Sequence, residues 1–338
     1  MIVVLETTAT PPDVVEIVDI IESGGGSASV SSGSGRTVVV GTGAAVDVTT
    51  DLLALSAVSG VVPVTSSYKL VSREHQPVRS TVRIGGTAIG PDTVTLVAGP
   101  CAVESPEQML ECALMAKTAG ATVLRGGAFK PRSSPYAFQG LGERGLKVLA
   151  AVGQETGLPV VTEILDPRDL DLVCAHADML QVGTRNMQNF ELLKAIGRTG
   201  MPVLLKRGMS ATVEEWLLAA EYIATSGNLD IVLCERGIRT FERATRNTLD
   251  ISAVPVIQQL SHLPVIVDPS HSGGRRDLVL PLTRAAIAAG ADGVIVDVHT
   301  DPGAALCDGG QALTQQDTVG LRESIRDLAR VSGRLSAA

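Results

Sequence analysis

TVLRGGAFKPRSSPYAFQG, residues 122–140, carries a buried-strand pattern straight into a cluster of charge. A β-branched and aliphatic run reaches Leu124, a glycine pair follows at Gly126 and Gly127, and Arg125, Lys130 and Arg132 crowd around it. Fixed cations at the end of a buried strand are costly unless an anion comes to meet them. The segment therefore predicts a pocket for a small, multiply charged ligand, most simply a phosphate or a carboxylate. For an isolated Lys/Arg cluster a solvated basic loop is the ordinary alternative. The rest of the chain decides between them, because it repeats the arrangement.

Seven further runs have the same character: VTLVAGPC (94–101), PVVTEIL (159–165), MLQVGT (179–184), PVLLKRG (202–208), IVLCERG (231–237), PVIVDPS (264–270) and GVIVDVH (293–299). Their near-continuous apolar content is that of strands covered on both faces, as in parallel sheets. A turn and a helical segment follow each one. Helix starts are marked by Ser105-Pro106 with Gln108, by Asp166-Pro167, and by Thr212 with Glu215 as a capping box. Eight β-then-α units from about residue 92 to 338 predict a (β/α)8 TIM barrel. A doubly wound open sheet is the alternative, disfavoured by the lack of a GxGxxG turn.

Residues 1–66 read differently. MIVVLE is a short strand, PDVVEIVDIIESG has helical spacing, SASVS and TVVVG are strands, TTDLLALSAV is helical, and GVVPVTS is a last strand. The order βαββαβ is the split pattern of a ferredoxin-like domain. Within it, the Gly/Ser-rich SGGGSASVSSGSG is expected to serve as a flexible hairpin connection and not as a ligand loop. Residues 67–91 form a connector, with a hairpin expected in STVRIGGTAIG.

Composition narrows the function. With 338 residues and 45% hydrophobic content the chain builds a large core. A net charge of -8 and 2% aromatic residues argue against a nucleic-acid partner. The basic residues that matter are local, inside an acidic whole. Five scattered cysteines without a CxxC form neither a disulfide framework nor a structural zinc pattern, so a reducing cytoplasm is expected. No segment has the roughly 18 consecutive apolar residues of a membrane span. Met1 to Glu6 lacks the start of a signal peptide.

In a barrel of this kind the active site gathers at the C-terminal strand ends. Those ends read Cys101, Arg125, Glu163, Arg185, Lys206, Arg236, His271 and Asp297. One group is cationic: Arg125, Lys130, Arg185, Lys206 and Arg236. Charge-assisted hydrogen bonds contribute roughly 1.5–3 kcal/mol each, enough for several to hold a ligand carrying both phosphate and carboxylate. Salt bridges to acids such as Glu163 and Glu235 are expected, but too few to neutralise the ring. The other group is Cys101, His271, Asp297 and Asp308. One sulfur, one imidazole and two carboxylates suit a divalent metal such as Mn²⁺, Fe²⁺, Co²⁺ or Zn²⁺. A buried thiol and a hydrogen-bonded loop histidine are the plain readings of Cys101 and His271 taken singly. Cys112, Cys174 and Cys234 read as core packing.

VAGPCAVES (97–105), LRGGAFKPRSSPY (124–136), QVGTRNMQN (181–189), LLKRGM (204–209), CERGIRTFE (234–242) and VDPSHSGGRRD (267–277) resemble the 3-deoxy-D-arabino-heptulosonate 7-phosphate (DAHP) synthase family. The N-terminal pattern with SYKLVSRE (67–74) is similar to the class carrying a ferredoxin-like extension. The resemblance implies a transferase at the first step of the shikimate pathway, condensing phosphoenolpyruvate with erythrose 4-phosphate and releasing phosphate. It implies that Arg125, Lys130, Arg185, Lys206 and Arg236, with Glu163 among them, bind phosphoenolpyruvate. Lys130, Arg132 and Ser133 would receive erythrose 4-phosphate, and Cys101, His271, Asp297 and Asp308 the metal. Lys130 is then a proton donor, with Cys101 and His271 catalytic through the metal. It further implies a homo-oligomer, with a tetramer expected, and an aromatic amino acid effector at the N-terminal domain.

One position departs from the family. Where it usually has glutamate as the strand-eight metal ligand, this chain has Asp297, one methylene shorter. Strand alternation puts His299 on the same face as Asp297, so His299 is a candidate to share that role. Cys307, beside Asp308, reads as packing. Two other functions stay open. A sister synthase, 3-deoxy-D-manno-octulosonate 8-phosphate synthase, typically has Ala-Asn after the lysine where this chain has Pro131-Arg132. A catalytically weak binding or regulatory paralogue has only Asp297 in its favour.

Overall fold

The structure, a computed structural model, describes residues 1–33, 36–44, 46–62 and 67–336. The first elements are β1 (Ile2–Leu5), α1 (Pro11–Ser23), β2 (Ser27–Gly33), β3 (Arg36–Thr42), α2 (Thr49–Leu53) and β4 (Val58–Val62). Their strands form one antiparallel sheet in the order β2-β3-β1-β4, the ferredoxin-like arrangement. Alternation explains why β1 and β3 are apolar on both faces. Val3, Leu5 and Val39 pack under α1 and α2 with Ile17, Ile21 and Leu52. Ile2, Val38 and Val40 face the other way and join the main core of the chain.

Within the Gly/Ser-rich stretch the expected SASVS strand forms and runs on to Gly33, so less of the stretch is left as connection than expected. Most of it is the seven-residue β2, registered against β3 from Ser27↔Thr42 to Gly33↔Arg36. Its small side chains fit a close approach. Ser31 Oγ donates to the Ala224 carbonyl at 2.5 Å, and a Cβ added at Gly33 would lie 2.5 Å from Leu229 Cβ. The connecting residues 34 and 35 lie outside the described residues.

From Tyr68 a strap crosses the foot of the molecule. The Leu70 and Val71 N–H groups donate to the Glu221 carboxylate at 2.9 and 3.1 Å, and Arg79 pairs with Asp292. Next, β5 (Val82–Ile84) and β6 (Thr87–Ile89) form a hairpin.

Eight parallel strands follow: β7 (Thr93–Gly99), β8 (Val123–Arg125), β9 (Val160–Ile164), β10 (Met179–Val182), β11 (Val203–Lys206), β12 (Ile231–Glu235), β13 (Val265–Val267) and β14 (Gly293–Asp297). Each pairs with the next, and β14 returns to β7 from Gly293↔Thr95 to Asp297↔Gly99. This closure removes the open-sheet alternative. Inward-facing Val97, Val123, Val161, Met179, Leu204, Val232, Ile266 and Ile295 fill the barrel, and hairpin residues Val82, Ile84 and Ile89 belong to the same cluster. The hairpin thus plugs the N-terminal end.

Around the barrel lie α3 (Pro106–Thr118), α4 (Glu143–Thr156), α5 (Leu170–Cys174), α6 (Phe190–Gly197), α7 (Val213–Thr225), α8 (Ala253–Leu260), α9 (Pro269–Gly273), α10 (Arg276–Ala288) and α11 (Gln315–Val331). Ser105 caps α3 by accepting from the Gln108 N–H at 3.1 Å, and Thr212 with Glu215 forms a capping box. Asp166 caps a 3-10 turn over Pro167–Asp169 that leads into α5. No helix among the described residues is long and apolar enough to cross a membrane.

Candidate active site and metal centre

The strand ends deliver their polar side chains to one mouth. Arg125, Lys206 and Asp297 are the last residues of β8, β11 and β14, and Arg236 follows β12 directly. Glu163 lies in β9, His271 in α9, and Arg185 in a 3-10 turn over Thr184–Asn186. Arg125, Lys130, Lys206 and Arg236 are buried, Arg132 is half-buried, and Ser133 and Arg185 are exposed at the rim. All of them line a cavity of about 450 Å³. Among the described residues its wall holds eight lysines and arginines against two acids, Glu163 and Asp308.

Partners hold the deep cations in place. Lys130 Nζ donates to the Cys101 carbonyl at 3.0 Å and lies 3.2 Å from its sulfur. A Cβ at Gly127 would sit 2.6 Å from Lys130 Cδ, so the glycine pair makes room for this side chain. Burial opposes the Lys130 charge, yet Cys101 and Glu163 leave its ammonium above the ordinary lysine range. Lys206 pairs with Asp268 at 2.5 Å, and Arg125 pairs with Asp297. Buried Arg236 Nη1 and Arg125 Nε have no hydrogen-bond partner among the described residues. Glu235, expected near the ring, instead pairs with Arg207 at 2.9 Å, and Asp250 joins it at 2.8 Å.

The second group also assembles. One donor atom each from Cys101, His271, Asp297 and Asp308 lies within 4.8 Å of all the others. Cys101 Sγ is 3.2 Å from Asp308 Oδ2 and 3.8 Å from His271 Nε2, which is 3.6 Å from Asp297 Oδ2. Sulfur, imidazole and carboxylate donors at this spacing fit a borderline divalent metal. Burial alone would lower the His271 pKa, but Asp268 and Asp297 raise it to about 10. Burial would raise that of Asp308, but His271 and Arg246 hold it well below the carboxylate range. Asp308 has the left-handed backbone angle φ of 53°, which aspartate tolerates better than most residues. Such local strain is common where a side chain must be aimed.

Two expectations about this group need correction. His299 does not join it: its Nδ1 meets the Asp301 N–H at 3.1 Å, and its Nε2 faces Glu104 Oε2 at 3.7 Å. That local turn draws the ring away from the donors. Cys307 does more than pack. Its sulfur lies 3.5 Å from that of Cys101 and accepts from Arg132 Nη1 at 3.0 Å. Cys112 and Cys234 are buried, whereas Cys174 is half-buried.

Sequence reading missed Asp268, Gln311 and Arg246. Asp268 receives both His271 and Lys206. Gln311 Nε2 donates to Asp297 Oδ2 at 2.7 Å, and Arg246 Nη1 bridges Gln311 Oε1 and Asp308 Oδ1 at 3.2 Å each. Only Asp268 carried a signal, as a lone acid between the apolar VIV run and Pro269.

Residues 69–331 match the DAHP synthetase I family, and residues 1–66 match the DAHP synthase ferredoxin-like domain. A phospho-2-dehydro-3-deoxyheptonate aldolase from Thermotoga maritima is 52% identical over 334 residues, covering 98% of this chain and 99% of that protein. A 2-dehydro-3-deoxyphosphooctonate aldolase from Nitratidesulfovibrio vulgaris is 35% identical, covering 63% of this chain and 84% of its own. The crystal structure of the Thermotoga maritima DAHP synthase covers 99% of this chain and 98% of its own at a TM-score of 0.79 and 50% identity. A truncated form of that enzyme aligns with 80% of this chain at a TM-score of 0.75. Matched along both its barrel and its N-terminal domain, the chain belongs to the DAHP synthetase I family of enzymes.

Proposed function

We propose that the chain is a 3-deoxy-7-phosphoheptulonate synthase, condensing phosphoenolpyruvate with erythrose 4-phosphate to give DAHP and phosphate at the first step of the shikimate pathway. The observation that carries this reading is the cavity wall of eight cations against two acids, with Arg236 Nη1 buried and unpartnered. Such a wall matches substrates that together bring two phosphates and a carboxylate.

In this reading Arg125, Arg185, Lys206 and Arg236 hold phosphoenolpyruvate, with Glu163 as the counter-charge in the wall. Arg132 and Ser133 at the rim receive the phosphate of the aldose, and Lys130 reaches both. Cys101, His271, Asp297 and Asp308 hold a divalent ion, one of Mn²⁺, Fe²⁺, Co²⁺ or Zn²⁺. When bound, such a metal supplies Lewis-acid polarisation of the aldehyde carbonyl. The aligned substrates join as C3 of phosphoenolpyruvate attacks the aldehyde carbon. Lys130 gives a proton to the new alkoxide oxygen. Water adds at C2, and C–O cleavage of the hemiketal phosphate releases phosphate onto the cationic wall, which stabilises its charge. An aromatic amino acid effector at the N-terminal domain and a homo-oligomeric, tetrameric assembly complete the proposal.

Several relatives at 31–35% identity bear the octulosonate name, so that substrate is the second reading. Pro131-Arg132 favours the four-carbon aldose. The test is phosphate release from phosphoenolpyruvate and erythrose 4-phosphate by chelated protein resupplied with single divalent metals. Turnover with at least one metal is expected. No turnover with any would leave a binding paralogue, and much faster turnover of arabinose 5-phosphate would favour the sister reaction.

A further inference from the structure

We infer that Glu104 is a positioning residue for the proposed metal set, clasping both ends of the loop that runs from β14 to Asp308. Its side chain is only 11% exposed, and among the described residues no lysine or arginine pairs with it. A mostly buried carboxylate without a cation is costly unless hydrogen-bond donors meet it. Here the loop supplies them. At the far end Glu104 Oε1 accepts the Leu306 N–H at 2.9 Å, two residues before Asp308. At the near end Oε2 faces His299 Nε2 at 3.7 Å, two residues after Asp297. Because His299 Nδ1 accepts from the Asp301 N–H, Nε2 carries the ring proton, and it has no other partner among the described residues.

Glu104 is itself anchored. It immediately precedes Ser105, the cap of α3, and its N–H donates to Gln108 Oε1 at 3.3 Å. Gln108 Nε2 in turn donates to the Ala102 carbonyl at 3.3 Å. The carboxylate therefore ties an irregular loop to the start of a barrel helix. Asp308 needs such ties, because its left-handed backbone persists only where the surroundings hold it. Arg246 holds its carboxylate at 3.2 Å and the Gln311 N–H its carbonyl at 3.3 Å. Glu104 holds the chain that leads into it. Without that tie Asp308 spends part of its time away from Cys101, His271 and Asp297, and apparent metal affinity falls with the fraction in place.

The inference rests on the reading of Cys101, His271, Asp297 and Asp308 as metal ligands, and the experiment separates the two.

Zinc affinity of the chelated, full-length protein is measured by competition against a chelating dye, and phosphoenolpyruvate affinity by calorimetry without metal. Glu104→Ala should bind zinc roughly tenfold more weakly, the worth of one hydrogen bond, with phosphoenolpyruvate affinity unchanged. Glu104→Gln should restore zinc affinity, because its amide oxygen still accepts from Leu306. Leu306→Pro removes the same bond from the loop side and should match Glu104→Ala, which keeps the test alive if the latter fails to fold. In an Asp308→Ala background Glu104→Ala should add no further loss, since Glu104 acts through Asp308. Unchanged zinc affinity in Glu104→Ala or Leu306→Pro overturns the inference, as does Glu104→Gln as weak as Glu104→Ala. An equal loss for phosphoenolpyruvate, or a further loss in the Asp308→Ala background, overturns it too. Zinc held as tightly by Asp308→Ala as by the wild type sinks the metal reading and the inference together. Asp308→Ala weakened with Glu104→Ala unchanged sinks the inference alone.

Discussion

Asp268 holds His271 twice, receiving its backbone N–H at 2.9 Å and its ring Nδ1 at 3.1 Å. The ring is thereby turned so that Nε2 faces Asp297 and Asp308 at 3.6 Å each. A carboxylate behind a ligating imidazole fixes both its tautomer and its direction. Asp268→Asn should weaken metal binding by about 10–100-fold, measured by competition against a chelating dye. Unchanged affinity would show that Asp268 serves Lys206 alone.

The Arg125–Asp297 pair is buried, with side chains 4% and 0% exposed. Removing one partner of a buried pair strands the other charge, a loss of about 3–5 kcal/mol. Asp297→Ala should lose that much in urea denaturation with chelator present, so that metal binding plays no part. Arg125→Met combined with Asp297→Leu should lose less than Asp297→Ala, because neither charge then remains. A double variant no more stable than the single would count against the pair as the source.

Arg132 is placed to separate the two proposed substrates. Arg132→Ala should raise KM for erythrose 4-phosphate roughly tenfold to a hundredfold, the worth of one charge-assisted hydrogen bond. KM for phosphoenolpyruvate should change little. Equal changes in both constants would move Arg132 out of the aldose subsite.

His262 and His75 sit at the foot of the barrel. His262 Nδ1 meets Ser80 Oγ at 2.7 Å, and its Nε2 meets the Leu70 carbonyl at 2.8 Å. Burial, with Arg73 near His262 and with His262 and Arg36 near His75, lowers both from 6.5 to about 4. Between these values the unfolded chain binds more protons than the folded one, so stability rises with pH. The contribution is complete above about 6.5 and is lost as pH falls towards 4. Chemical denaturation across that window should show a loss of a few kcal/mol, and His262→Asn should flatten the slope.

The plug makes a simpler prediction. Ile89 is fully buried, and Ile89→Ala should cost about 2–5 kcal/mol in urea denaturation. A loss well under 1 kcal/mol would mean the foot of the barrel can close without it.

The barrel was legible because each strand is covered on both faces and leaves a near-continuous apolar run; the VIV of β13 is recognisable without any neighbour. The cation ring was legible for a related reason, since a charge such as Lys206 stands out at the end of LLK. Asp268 was not. Its role depends on an imidazole three residues away folding back over it, which spacing alone does not show. His299 misled because alternation describes the strand, whereas its ring answers to the Asp301 N–H in the next turn. Cys307 could be placed only by the path of a loop that has no periodicity. SASVS was legible as a strand, but its Gly/Ser composition hid that β2 continues to Gly33, where the lack of a side chain allows close approach to Leu229.

The packed barrel interior, with the hairpin set against its foot, gives the cavity a closed floor. Traffic follows from that shape. If the proposed subsites hold, a ligand on buried Lys206 and Arg236 lies deeper than one at half-buried Arg132 and should bind first and leave last.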